Sequence, residues 1–148
     1  MIKDLQYPSN SLYYSGPSKM IETHVKKDKM KLQKKKIIYV DIDGTISHNP
    51  ELPGFGDRHA DYEKAAPLGN RIALINKLYD EGHEIHYWTA RGTVSKIDYR
   101  GLTEKQLSDW GAKYHELHVG NKPHFDMYIC DKSWNSESYF SRLEKGLP

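Results

Sequence analysis

Blocks of apolar and polar positions alternate along the chain from residue 36 onward, and they predict strands and helices in turn. Residues 37 to 40, Ile-Ile-Tyr-Val, are β-formers with both faces apolar, which is typical of a buried parallel strand. Shorter apolar runs predict further strands at residues 84–88, 117–119 and 127–130. The chain therefore offers four candidate strands for one sheet.

Helical patterns fill intervals between these strands. Apolar residues at helical spacing follow Pro67, and Gly82 is the expected left-handed end of that helix. A capping-box spacing predicts a second helix from Thr103, and a cap at Ser133 or Ser136 predicts a last one. Strands that alternate with helices predict an α/β fold, a mostly parallel sheet with helices on both faces.

Residues 46 to 66 interrupt this alternation, because they hold two prolines, two glycines and many polar groups. A loop of about twenty residues is uncommon in a compact domain unless it is functional. We expect a long loop here with a small hairpin, and four of its side chains are placed to contact a ligand. They are His48, Arg58, His59 and Tyr62.

The start of the chain differs from the rest. Residues 1 to 25 show no lasting period, and seven of the eleven residues from Lys26 to Lys36 are lysine. Residues 1 to 36 carry a net charge of +6, so the remaining residues sum to −4 within a total of +2. We predict an irregular Lys-rich extension over residues 1–35 and one folded domain over residues 36–148; such lysine runs are more often solvated than bound to nucleic acid.

Composition narrows the class of protein. A chain of 148 residues is close to the size of one domain, and 37% hydrophobic residues suffice for a core. The apolar runs are far shorter than the roughly twenty residues of a membrane span, and the N-terminus lacks a secretory signal pattern. A lone Cys130 agrees with a reducing compartment. We therefore expect a soluble cytoplasmic protein.

Polar side chains follow each predicted strand where it ends. They are Asp41 and Asp43, then Thr89 and Arg91, then Lys122, and last Asp131. In open parallel sheets, ligands bind at the carboxyl ends of the strands. Three carboxylates at one edge repel each other unless a cation joins them, and an all-oxygen ligand set suits Mg²⁺. A hydroxyl, a lysine and an arginine beside them suit a phosphoryl group.

These residues and their spacing resemble the four motifs of the haloacid dehalogenase superfamily of phosphohydrolases. Asp41-Ile42-Asp43-Gly44-Thr45 resembles the first motif, and the second, third and fourth are matched in order by Thr89, Lys122 and Asp131. The strings Tyr-Trp-Thr-Ala-Arg-Gly at 87–92, Gly-Asn-Lys-Pro-His-Phe-Asp at 120–126 and Asn-Ser-Glu at 135–137 are similar to small capless phosphatases of bacterial capsule and surface-sugar gene clusters. This resemblance spans residues 36 to 143 and implies a Rossmann-like three-layer sandwich without a cap domain.

The resemblance also implies roles for individual residues. Asp41 would be the nucleophile that forms an aspartyl-phosphate, and Asp43 the general acid and base. Asp41, the Asp43 backbone carbonyl and Asp131 would hold Mg²⁺, while Thr89 and Lys122 would bind the phosphoryl oxygens. The remaining positions of the predicted substrate site are Gly44, Thr45, Ala90, Arg91 and His48.

The sequence departs from the family pattern at two positions. Cys130 stands where the fourth motif usually has a first acid, which affects the expected metal site. Asn121 stands between Gly120 and Lys122, one residue more than the usual Gly-Lys-Pro. The lysine is therefore expected to shift slightly from its position in relatives.

Structural interpretations compete at several of these positions. Asp43-Gly44 could turn a hairpin, but the next apolar run is helical. Arg91 could form a surface ion pair, although its place two residues after Thr89 favours a phosphate or a sugar acid. Trp88 is interpreted as filling core or edge space.

The histidines are interpreted as structural or surface residues. His83 and His86, like His115 and His118, lie three positions apart. Strand and turn residues at this spacing do not share a face as helical metal ligands do, and the sequence indicates no third ligand.

The leading hypothesis is a Mg²⁺-dependent phosphomonoester hydrolase with an open site, covered by the 46–66 loop and by a second subunit if the chain is a homo-oligomer. A sugar phosphate or related metabolite of surface polysaccharide synthesis is the favoured substrate. The alternatives are a polynucleotide-end phosphatase, which would use the Lys-rich extension, a phosphoryl-binding module without turnover, and a degenerate structural subunit. No membrane partner is expected.

Overall fold

The computed structural model describes residues 34–50 and 61–147. Its strands are β1 (Ile37–Val40), β2 (Ser47–His48), β3 (Ala66–Pro67), β4 (Glu84–Thr89) and β5 (Glu116–Val119). Its helices are α1 (Gly69–Asp80), α2 (Arg100–Asp109) and α3 (Ser136–Glu144), and Tyr62–Lys64 is a short 3₁₀ helix. Residues 1–33 of the predicted extension and the loop residues Arg58 and His59 lie outside the described residues, and the predicted division at residue 35 stays a prediction.

The main sheet has three parallel strands in the order β1-β4-β5. Tyr39 pairs with His86, and Thr89 pairs with Val119, so the carboxyl ends of the three strands lie at one edge. This arrangement confirms the three predicted strands and the mixed α/β class. It also brings the residues that follow each strand to the same side of the molecule.

The core lies on one face of this sheet. Strand residues alternate between two faces, and on the core face they pack against apolar residues of all three helices. The buried apolar side chains are Val40, Ile42, Ile46, Ile72, Ile75, Ile85, Tyr87, Leu107, Leu117 and Phe140. Among the described residues, no helix is both long and apolar enough to cross a membrane.

Local sequence explains two helix starts that differ from prediction. Helix α2 begins at Arg100 rather than Thr103, and the Asp98 carboxylate accepts the Arg100 N–H at 2.9 Å. The Thr103 hydroxyl instead donates to the Tyr99 carbonyl and is buried. Helix α3 is capped by Asn135, not by a serine. The Asn135 side chain accepts a hydrogen bond from the backbone of the third helical residue.

The fourth predicted strand is wrong in the described structure. Residues 127–130 form no strand, and the first three of them are solvent-exposed, with Ile129 at 88% and Met127 at 76%. The apolar run predicts a strand from composition, but composition does not specify a partner strand. By contrast, the two ends of the 46–66 loop pair with each other, because β2 and β3 run antiparallel there, and the small hairpin expected within the loop stays a prediction.

Gly92 follows β4 and Gly82 precedes it, and both have positive φ. Comparing substitutions at the two glycines tests how tightly the loop after β4 is packed. Gly92 has φ of 79°, and a Cβ there would lie 2.2 Å from the Ile97 carbonyl oxygen. Gly82 has φ of 93° but open space around its Cβ position. We expect Gly92→Ala to lower the free energy of unfolding by at least about 1 kcal/mol more than Gly82→Ala, since both lose the left-handed conformation but only one clashes. Urea denaturation measures the difference, and equal losses would contradict the tight loop.

Candidate active site

A tight turn after β1 holds the two aspartates of the first motif. The Ile42 carbonyl accepts backbone hydrogen bonds from residues 45, 46 and 47, and Gly44 supplies a φ of 77°. The Ile42 and Ile46 side chains are fully buried and anchor the turn in the core. Asp41 and Asp43 are therefore presented on a rigid segment at the end of the strand.

Asp41 is paired with Lys122, which lies 81 residues later in the chain. The Lys122 ammonium donates to Asp41 Oδ1 at 2.9 Å, and only 15% of the lysine side chain is exposed. The Thr45 hydroxyl donates to the other oxygen, Oδ2, over a long 3.4 Å. The structure thus brings the predicted nucleophile and the predicted phosphate-binding lysine into direct contact.

Residues that the sequence analysis did not select hold Lys122 in place. The Trp88 indole N–H donates to the Asn121 side-chain oxygen at 3.0 Å, and the Thr93 hydroxyl donates to the Lys122 carbonyl at 2.7 Å. The Lys122 ammonium also lies 5.5 Å from the centre of the Trp88 ring. The extra Asn121 therefore anchors the loop, and the lysine still reaches the site.

Asp43 is bound by Arg91 through a bidentate ion pair. The Arg91 Nε–Oδ2 and Nη2–Oδ1 distances are 2.8 and 2.7 Å. The Arg91 side chain is completely buried, whereas 37% of the Asp43 side chain is exposed. This geometry corrects the prediction that Arg91 contacts substrate, because its fork is already occupied by a carboxylate of the site itself.

Helix α2 supplies the other partners of Arg91. Arg91 Nη1 donates to the Thr103 hydroxyl at 3.2 Å and to the Gln106 side-chain oxygen at 2.6 Å. Thr103 and Gln106 are three residues apart and so share one helix face, a spacing that could have indicated their role. Arg91 also lies 4.8 Å above the Tyr62 ring, and burial raises the pKa of the Tyr62 hydroxyl.

Two hydroxyl groups complete the environment of Asp43. Thr89 donates to Oδ2 at 3.5 Å, and Ser47 lies 3.3 Å from both Oδ1 and the Ile42 carbonyl, which share its one proton. With the two bonds from Arg91, donors therefore face all four acceptor positions of the Asp43 carboxylate. The Thr89 bond is the longest of the four and is at the limit of hydrogen-bond geometry.

Asp131 lies in the segment after residue 126 that forms no strand. Its side chain is exposed, and its hydrogen bond is from the Cys130 thiol at 3.7 Å. Among the described residues, Asp41, Asp43 and Asp131 do not form a group whose ligand atoms all lie within 4.8 Å of one another. That group of three carboxylates is not the predicted ligand set, which uses the backbone carbonyl of Asp43, so the predicted contact of Asp131 with a metal stays a prediction.

The other predicted substrate residues lie around the same turn. The Gly44 and Thr45 N–H groups are used within the turn, on the carbonyls of Ser47 and Ile42. Ala90 is exposed directly after β4, and His48 is exposed on β2. Ala90 and His48 are therefore accessible to a ligand, whereas the N–H groups of Gly44 and Thr45 already donate to carbonyls within the turn.

The charges of the site are balanced by protein cations. Each aspartate of the first motif faces one basic side chain, so the repulsion expected between the carboxylates is offset by Lys122 and Arg91. Asp41, the Asp43 backbone carbonyl and Asp131 would hold a magnesium ion, and the pairing of the Asp43 carboxylate with Arg91 does not use any of these ligand atoms. The predicted Mg²⁺ dependence stays a prediction.

Comparison with known proteins adds information on the fold. The crystal structure of an MCSG target from Vibrio cholerae is similar to this chain, with 24% sequence identity and a TM-score of 0.59. The match covers 74% of this chain and 92% of the Vibrio chain. At this identity the likeness concerns the fold alone. No protein-family model and no curated protein matches the sequence.

The buried ion pair should contribute strongly to stability. We expect Arg91→Met to lower the free energy of unfolding by roughly 2 to 4 kcal/mol, since it leaves Asp43, Thr103 and Gln106 without their partner. Arg100→Met is the control, because Arg100 is 46% exposed, pairs with Glu104 on the same helix and donates to the Leu117 carbonyl at 3.2 Å, so a smaller loss of about 1 kcal/mol is expected. Chemical denaturation of both variants measures this, and similar losses would contradict a structural role for Arg91.

Proposed function

We propose that this protein hydrolyses phosphate monoesters through an aspartyl-phosphate on Asp41. The observation that carries the proposal is the contact of Lys122 with Asp41, with Thr89 and Asp43 in the same cluster. Residues from three separate strand ends converge there, as phosphoryl transfer requires. We also propose, from the resemblance of the motifs, that the chain is a capless, Rossmann-like member of the haloacid dehalogenase superfamily.

The first half-reaction transfers the phosphoryl group to the protein. A carboxylate oxygen of Asp41 forms a bond to phosphorus, and the bond from phosphorus to the ester oxygen breaks. The leaving oxygen takes a proton from Asp43, which must enter this step protonated, and departs as an alcohol. Lys122 is placed to move from the carboxylate onto a phosphoryl oxygen and to stabilise its charge.

The second half-reaction releases phosphate and restores the protein. Water attacks phosphorus, the bond from phosphorus to the Asp41 oxygen breaks, and Asp43 takes the proton that the water gives up. The products are inorganic phosphate, the Asp41 carboxylate and a protonated Asp43. One carboxyl group therefore acts as acid in the first step and as base in the second.

Substrate binding also prepares Asp43 for proton transfer. The Thr89 hydroxyl makes the weakest of the four hydrogen bonds to Asp43, and a phosphoryl oxygen would attract it away. Asp43 Oδ2 then has a lone pair available for the proton, while Arg91 keeps the carboxyl group in place. Arg91 is thus a positioning residue rather than a substrate ligand.

The favoured substrate is a small sugar phosphate of surface polysaccharide synthesis. This choice follows from the resemblance to the capsule-associated phosphatases, and from the net charge of −4 over residues 37 to 148, which disfavours a polyanionic strand. Exposed Ala90 and His48 beside the turn are the residues best placed to contact the sugar. Mg²⁺ is proposed as the cofactor on the same resemblance.

Substitution of the two aspartates tests the chemistry. Asp41→Asn should abolish phosphate release, and Asp43→Asn should reduce it by roughly 10²- to 10⁴-fold, the usual range for a lost general acid and base. Quenched single-turnover assays should show slower formation and slower hydrolysis of the phosphoprotein in the Asp43 variant. A normal rate for Asp41→Asn would refute the proposed nucleophile.

A panel of phosphomonoesters tests the substrate class. We expect release of phosphate from sugar phosphates in Mg²⁺ and its loss in chelator. Turnover confined to oligonucleotide ends, with a steep dependence on salt, would favour the polymer alternative. A phosphoprotein that persists without release would favour a phosphoryl-binding module.

Arg91→Lys tests the positioning role. The variant keeps the positive charge but loses the two-pronged contact, so we expect kcat to fall by about 10- to 100-fold with little change in KM. A direct substrate contact would instead raise KM. The pH profile of kcat should also change, since the acid and base group would be held in a different geometry.

A further inference from the structure

A second group of polar side chains lies on the face of the sheet opposite the core. Strand alternation places Tyr39 of β1, Glu84 and His86 of β4, and Glu116 and His118 of β5 on this face. None of these residues belongs to the candidate active site. The register that pairs β4 with β5 brings two histidines and a glutamate together, although their sequence spacing gave no indication of a common site.

Three ligand atoms of this group form a small triangle. His86 Nδ1 and His118 Nε2 are 3.0 Å apart, and Glu116 Oε2 lies 3.7 Å from the first and 3.4 Å from the second. The nearest point equidistant from atoms at these separations lies in their plane, about 2.0 Å from each, which is the length of a Zn–N or Zn–O bond. The three ligand atoms are therefore close enough together to share one ion, once the proton between the two histidines has moved.

The orientation of His86 is set by a neighbouring carboxylate. His86 Nε2 is 2.9 Å from Glu84 Oε1, so it carries the proton and donates it, and Nδ1 has the lone pair that faces the triangle. Lys35 Nζ lies 2.8 Å from the other oxygen of Glu84 and pairs with its charge. A carboxylate behind the distal ring nitrogen is the usual support of a metal-binding histidine.

Burial and access also suit a metal ion. The side-chain exposure falls from 59% at Glu116 to 25% at His118 and 7% at His86. The Tyr39 ring lies 4.8 Å from the His86 ring and 5.6 Å from the His118 ring, so it covers the histidines on one side. The triangle is thus supported from within the protein and reachable from solvent past the glutamate.

From this geometry we propose that His86, His118 and Glu116 bind a Zn²⁺-class divalent ion, with water as the fourth ligand. Two imidazoles and one carboxylate favour Zn²⁺ and its late first-row neighbours over Mg²⁺, which prefers an all-oxygen set. Without metal, the 3.0 Å contact is a hydrogen bond from His118 Nε2–H to His86 Nδ1. Binding moves that proton to His118 Nδ1 and presents both lone pairs to the ion.

Competition with a chromophoric chelator tests the site in the full chain. Zn²⁺ is titrated in excess Mg²⁺, which saturates oxygen-rich sites, and one equivalent per chain is expected to bind. His118→Ala should weaken this binding by at least about tenfold, and Glu116→Gln should weaken it as well. His124→Ala is the matched control, since His124 is an exposed histidine of the following loop outside the triangle, and it should bind as the parent does.

Cobalt substitution reports on the ligands directly. Co²⁺ bound by two imidazoles and a carboxylate should give visible absorption in the parent chain and in His124→Ala, and this absorption should be lost in His118→Ala. Circular dichroism verifies that the variants are folded. Unchanged Zn²⁺ affinity in His118→Ala and Glu116→Gln, or no binding by the parent, would overturn the proposal.

The phosphatase assay keeps the two proposals separate. Phosphate release by His118→Ala in Mg²⁺ should equal that of the parent, because the triangle shares no residue with the site around Asp41. Loss of Zn²⁺ binding with normal turnover supports the metal site alone. Normal Zn²⁺ binding by an inactive parent would leave the metal site standing and refute the hydrolase.

Discussion

The ion pair between Arg91 and Asp43 is the interaction on which the organisation of the site depends. A guanidinium with a completely buried side chain requires a carboxylate and further acceptors, and helix α2 and the first-motif turn together provide them. The pair therefore connects β1, the segment after β4 and helix α2 in one polar network. Such a network has a second effect, because it holds a reactive carboxyl group in a single orientation before any substrate arrives.

The two aspartates of the site face an arginine and a lysine, an arrangement that the sequence analysis did not predict. Two fixed cations face the two aspartates, so the carboxylates can stand close together while the chain is folded. The cost is that Lys122 must move or be shared when a phosphoryl group enters. Lys122 is suited to this, since an ammonium on a flexible stem redirects its hydrogen bonds more easily than a bidentate guanidinium does. Arg91 is suited to staying in place.

Much of the fold could be predicted from the sequence, and the exceptions have physical reasons. The strands at residues 37, 84 and 117 and the helix before Gly82 follow from local pattern and were confirmed. The strand at residues 127–130 was predicted from composition alone, without a pairing partner. Asp131 was expected at the site because that strand would end there and because it matches the fourth motif, so without the strand only the motif supports its predicted role.

In the site, as in the fold, local sequence patterns predict some features, and contacts between residues distant in the sequence determine the others. The convergence of Asp41, Thr89 and Lys122 could be predicted, because parallel strands must end at a common edge. The partner of Arg91 could not, because an arginine after a strand is equally compatible with a substrate, a surface ion pair or a buried one. The triangle of His86, Glu116 and His118 depends on the register between β4 and β5, which no pattern within either strand specifies.

Strand β4 contributes to both faces of the sheet with a period of two. Ile85, Tyr87 and Thr89 point to the core and the proposed phosphoryl site, while Glu84, His86 and Trp88 point to the other face. A single-residue insertion or deletion within this strand would exchange the two sets and disable both faces at once. Evolution or engineering can therefore tune either face by substitution, but cannot change the length of β4 without losing both.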